Sequence, residues 1–177
     1  ILITDPRPHM DTRWVIIDGY SLMHRDPEFA ERKGKLASAR QRLVRKIEEV
    51  AGTLAERITI VFDGTGQGTG EGYEAPAIEV LFSPGDKTAD TVIERLVHDA
   101  AAPGEVLVVT SDLLERQTVA AAGAQSMSCG DFLDLMGRHT RHVKRQARPA
   151  QGKAPGATLG DFFPPEATQR RTPNVER

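Results

Sequence analysis

The chain contains one cysteine, Cys129. A single thiol cannot close an intramolecular disulfide, and it excludes a zinc ribbon or a thiol redox pair. A reducing, cytoplasmic setting is therefore the expectation. Aromatic residues make up only 5% of the 177 positions. That is too few for a built base-stacking platform, although Tyr20 and Tyr73 are individually suited to stacking on bases. No apolar run approaches the ~20 residues needed to cross a bilayer. No pattern of basic start, apolar stretch and small-residue cleavage site marks a secretory leader. The nucleotide-binding signatures G-x-x-x-x-G-K-[ST] and G-x-G-x-x-G are both missing. The glycine-rich stretch Gly64–Gly72 is thus expected to be a loop beside a site rather than a phosphate cradle.

What is present is a hydrophobic content of 39%, enough for one core, and an uneven distribution of charge. The formal net charge is −2. From Arg138 onward nine basic residues face three acidic ones, a balance of +6, which leaves −8 for residues 1–137. An acidic globular part with a basic extension suits a carboxylate metal site beside a nucleic acid, and equally suits ordinary solvated surface. Residues 1–12 read as an appendage, with His9-Met10 resembling a cloning junction before a native start at Met10. Residues 138–177, basic and then rich in Pro, Gly and Gln, are expected to be a disordered tail. Phe162-Phe163-Pro164-Pro165 within it reads as either a short docking motif or plain linker.

Between these ends, buried strands alternate with amphipathic helices. Trp14–Ile17, Ile58–Phe62, Ala77–Phe82, Val106–Thr110 and Ala124–Met127 read as five strands. Residues 36–54 place Leu36, Leu43, Ile47, Val50 and Leu54 on one helical face. Further helices are expected over 87–101, from Asp112 to about Ala122, and after Ser128, which forms a capping-box pattern with Asp131. Such alternation implies an α/β fold with a mostly parallel central sheet and helices on both faces. Strands one and four should be neighbours, and the β2–β3 connection lacks an obvious helix.

Asp18 and Asp63 each end a strand in an Asp-Gly pair, Asp112 follows strand four, and Asp90 falls in the first turn of a helix. Ligands of open parallel sheets bind beyond the carboxyl ends of the strands. Each Asp-Gly alone is ordinary turn chemistry. Crowded together, however, the acids repel and call for protons or a cation. Oxygen ligands without histidine or cysteine favour Mg²⁺ or Mn²⁺ over zinc. Such a site would suit cation-assisted phosphodiester hydrolysis, which needs no Ser, His or Cys nucleophile. Glu94 and Glu115 are further candidates, with exposed helix charges as their default reading. His24 reads first as structural, and nothing marks Cys129 as catalytic.

Val15-Ile16-Ile17-Asp18-Gly19-Tyr20-Ser21, Ala39-Arg40 with Leu43, Val61-Phe62-Asp63, Glu79–Ser83, Thr88-Ala89-Asp90 and Thr110-Ser111-Asp112 occur in an order and spacing that resemble the YacP-like group of NYN, PIN-like nucleases. The resemblance covers about Trp14 to Met136, so 13–137 is expected to be the NYN domain, a PIN-like three-layer sandwich. It implies a metal-dependent endoribonuclease that leaves 5′-phosphate ends and uses Mg²⁺ or Mn²⁺. It implies Asp18, Asp90 and Asp112 as metal ligands and Asp63 as a supporting catalytic acid. RNA, with mRNA foremost, is the implied substrate and the ribosome an implied partner. Ser21, Arg40 and Ser111 are the candidate substrate-binding residues. Ser21 stands where the family has asparagine, which leaves open a catalytically weak or inactive RNA- or ribosome-binding module on the same fold. A haloacid-dehalogenase phosphatase is disfavoured, because Tyr20 occupies the position of its second acid.

Overall fold

The computed structural model describes residues 12–30, 36–64 and 77–146. The N-terminal appendage up to residue 11, the glycine-rich loop beyond Gly64, Tyr73, and the tail beyond Gln146 with its Phe-Phe-Pro-Pro motif lie outside them. Five strands form one sheet: β1 Trp14–Asp18, β2 Arg57–Phe62, β3 Ile78–Phe82, β4 Val106–Val109 and β5 Gln125–Met127. Their order is β3-β2-β1-β4-β5, and every pairing is parallel. β1 pairs with β4, as the strand reading expects, and with β2 on its other side.

The side-chain period of two assigns each strand residue to a face. Val15, Ile17, Ile58, Ile60, Phe62, Leu107 and Val109 pack with Leu22, Leu43, Ile47 and Phe132. These partners come from helices α1 (Gly19–Arg25), α3 (Leu36–Glu48) and α7 (Cys129–Gln146). Ile16, Val61, Val106 and Val108 point the other way, against Ala89, Ile93, Val97 and Val119. Those belong to α5 (Ala89–His98) and α6 (Leu113–Ala121). The result is a three-layer α/β sandwich. Asp18 has the parity of Ile16, so it faces the α5–α6 layer.

Three elements differ from expectation. Asp18-Gly19 reads as a turn, yet Gly19 already begins α1, whose first turn Asp18 caps. The single helix expected over 36–54 breaks after Glu48. Val50 N–H bonds the carbonyl of Ile47, closing α3 with a tight turn, and a short helix α4 covers Ala51–Leu54. Val50 and Ala51 both stay buried, so the apolar face survives the break. The apolar periodicity stops at Gly137, but α7 continues to Gln146. His139 Nδ1 and Thr53 Oγ1, 3.0 Å apart, tie this part of α7 to α4. The short helix α2 (Pro27–Ala30) completes the set.

Among the described residues, Gly19 is the glycine held by the closest packing. A Cβ built there would lie 2.3 Å from Cε1 of the buried Phe62. Gly19→Ala should therefore cost about 1–3 kcal/mol through overpacking. A lower urea midpoint with an unchanged slope checks this, and an unchanged midpoint contradicts it.

Candidate metal centre

The carboxyl ends of the strands carry the acids, and helix starts hold them in place. Asp18 Oδ1 accepts the N–H groups of Tyr20 and Ser21, both at 3.1 Å. No hydrogen bond engages its Oδ2 among the described residues. Asp112 caps α6 in the same way, its Oδ1 accepting from Leu114 at 2.7 Å and Glu115 at 3.3 Å. Asp63 is anchored by the Ser83 hydroxyl, which donates to Oδ1 at 2.8 Å and accepts the Gly64 N–H at 3.0 Å. Asp90 stands in the first turn of α5, beyond the N-cap Thr88.

One carboxylate oxygen from each of Asp18, Asp90 and Glu115 lies within 4.8 Å of the other two. Asp18 and Glu115 are buried, and Asp90 is more open. Asp112 stands outside this closest group, at an exposed helix start. Asp112 and Asp63 still act on Asp90 through charge. The tight trio is therefore Asp18, Asp90 and Glu115, where the resemblance implied Asp18, Asp90 and Asp112.

Glu115 is the residue whose default reading failed. It is 3% exposed, and both of its carboxylate oxygens are buried without a hydrogen-bond partner. Burial pushes its pKa up to about 7, aided by the charges of Asp90, Asp18 and Asp112. The nearby Thr110 hydroxyl, whose oxygen accepts the Asp112 N–H, tempers the shift. Asp90 is raised as well, by burial first and then by Asp18, Asp112, Asp63 and Glu94. Unpartnered buried carboxylate oxygens carry a full desolvation penalty. A cation among the three acids would remove it, so this donor set fits a divalent metal.

The other candidates divide by side of the sheet. Ser21 and Ser111 line a cavity of about 440 Å³ next to the acids, together with His24, Arg25, Ser128 and Gly130. The contact that Ser21 makes with Asp18 comes from its backbone, so serine in place of asparagine leaves the Asp18 cap intact. Arg40 lies over the rings of Phe62 and Phe82, 5.8 and 5.1 Å from their centroids, on the α3 side. Tyr20 packs edge-on against Phe62 at 5.4 Å, a core contact. Glu94 is exposed. Cys129 is fully buried, and burial raises its thiol pKa.

The chain matches the family model described as the YacP-like NYN domain over residues 15–169. The curated sequence named "Uncharacterized protein YacP" of Bacillus subtilis (strain 168) is 25% identical over 150 residues, spanning 82% of this chain and 87% of that protein. The crystal structure of Rae1 (YacP) from Bacillus subtilis superposes with a TM-score of 0.66 at 25% identity, covering 77% of this chain and 80% of that one. A single-residue variant of it superposes at 0.62, with 76% and 81% covered.

A pH dependence follows from Glu115. Its folded pKa is about 7 against an ordinary 4.5, so between these values the folded chain binds more protons than the unfolded one. Metal-free protein should lose thermal stability as pH rises from about 4.5 to 7. Glu115→Gln should flatten that loss and raise the melting temperature above pH 7. Thermal unfolding in a chelator reads both, and an identical pH profile for the variant contradicts the assignment.

Proposed function

The chain belongs to the YacP-like NYN domain family, and from that premise we propose that it is a divalent-metal-dependent endoribonuclease. The observation that carries the reading is the meeting of Asp18, Asp90 and Glu115, with two buried and unpartnered oxygens on Glu115. Carboxylates alone, with no histidine or thiolate among them, select hard cations, and Mg²⁺ or Mn²⁺ is the proposed cofactor. A divalent cation held there supplies Lewis-acid polarisation of the phosphate and lowers the pKa of a coordinated water.

The chain's own groups do the rest. Asp18 is locked by two backbone N–H groups, so its free oxygen is oriented before substrate arrives. Glu115 is fixed by its own burial on the one face of α6 that, with Val119, turns inward. Asp63 and Asp112, both exposed at the rim, add negative charge that raises local affinity for cations. Ser21 and Ser111 offer hydroxyls to substrate from the adjoining cavity. No described helix is long and apolar enough to cross a membrane. A cytoplasmic location, mRNA as the particular substrate and the ribosome as a partner complete the proposal. A second reading, an inactive RNA-binding module, is motivated by Ser21.

Purified protein should cleave single-stranded RNA with Mg²⁺ or Mn²⁺ and lose this in a chelator. Asp18→Asn, Asp90→Asn and Glu115→Gln should each lower the rate by about 100-fold or more. If wild-type protein cleaves no faster than Asp18→Asn and Asp112→Asn in Mn²⁺, catalysis fails, and RNA binding without cleavage favours the second reading.

A further inference from the structure

Beside the acids lies a cavity of opposite character. Its lining is Ser21, His24, Arg25, Ser111, Ser128 and Gly130, with no carboxylate among them. It adjoins the metal centre through the chain itself: the Ser21 N–H bonds Asp18, and Ser111 directly precedes Asp112. His24 and Arg25 end α1 and are exposed. Arg13, Arg57 and Arg95 each pair with a carboxylate, whereas Arg25 has no acidic partner among the described residues.

Arg25 is nonetheless held in a defined place. Its Nε would lie 3.4 Å, and its Nη2 3.7 Å, from a Cβ built on Gly130, with Ser128 Oγ 3.8 Å from the same point. The guanidinium thus rests against the first turn of the 18-residue helix α7, over a position without a side chain. The volume falls in the ~300–1,000 Å³ range of small-ligand sites. A planar fork of donors, an imidazole and the hydroxyls of Ser21 and Ser111 form a set suited to a phosphate with its sugar, while the Ser128 hydroxyl is engaged by Asp131.

Resting on the nuclease reading, we propose that this cavity is the subsite for the phosphate next to the scissile one, with Arg25 as its principal ligand. A bank of acids repels a polynucleotide, so a cationic pocket flanking it determines where the strand enters. The strand lies with one phosphate at the acids and its neighbour against Arg25 and His24. Arg25 binds substrate without touching the reacting atoms.

The test uses the whole chain and a short fluorescein-labelled oligoribonucleotide. Anisotropy with Ca²⁺ in place of Mn²⁺ gives Kd and its salt dependence, and cleavage in Mn²⁺ gives kcat and KM. Arg25→Gln should raise Kd by about five- to tenfold and reduce the log–log salt slope by about 0.7, the loss of one single-strand phosphate contact. KM should rise while kcat stays within about twofold. Gly130→Asp sets a carboxylate against Arg25 at a helix start that tolerates one, so it should reproduce the effect without unfolding. Arg25→Lys should keep the salt slope while weakening binding less than Arg25→Gln. If both neutralising variants keep wild-type Kd, slope and KM while RNA is cleaved, the subsite is wrong and the nuclease reading stands. A fall in kcat at unchanged KM also overturns the flanking assignment. If wild-type protein neither binds nor cleaves the oligonucleotide, both readings fall together.

Discussion

The mutual repulsion of carboxylates at one pole of a parallel sheet is the constraint around which this molecule is organised. Asp18, Asp90 and Glu115 approach within 4.8 Å, two of them buried. Such crowding opposes folding unless protons or a cation balance it. The raised pKa values of Glu115 and Asp90 express that cost directly. Such an arrangement works against stability, and the proposed metal centre accounts for it.

The same pole also contains the means of holding them. Because every strand runs in one direction, all carboxyl ends meet there, and the helices that follow begin there. Asp18 caps α1, Asp112 caps α6, Thr88 caps α5, and Ser128 with Asp131 closes the start of α7. Capping satisfies helix N–H groups that would otherwise lack partners, and places acids where the helix dipole favours negative charge. The opposite pole is different in kind. There Arg13 pairs with Glu56 and Glu105, and Arg57 lies over Trp14 while binding Glu79. Charge is neutralised locally at that end and concentrated at the other.

Much of this was legible in the residue order. The apolar runs located all five strands, and alternation with amphipathic helices implied a parallel sheet and two helical layers. Strand-end acids marked the pole at which Asp18, Asp90 and Glu115 gather. Glu115 was not legible, because α6 inverts the usual rule. Its Leu113 and Leu114 are 60% and 71% exposed, while Glu115 and Val119 are buried. A reader weighing hydropathy turns the leucines inward. The usable signal was the spacing of Glu115 and Val119, four residues apart on one helical face. α1 was hidden because Gly-Tyr-Ser after a strand reads as a turn until the Asp18 cap is seen. The reach of α7 was hidden because the contacts holding its last turns include a polar one, His139 with Thr53. The cavity at Arg25 joins α1 to the start of α7, segments about a hundred positions apart, and no local pattern announces it.

The account stands on one ion shared by three side chains. Anomalous diffraction from crystals of the protein soaked in Mn²⁺ tests it most directly. A strong peak within coordination distance of carboxylate oxygens of Asp18, Asp90 and Glu115 is the expected result. Well-ordered acids with no peak between them, or manganese bound only by other residues, would contradict it.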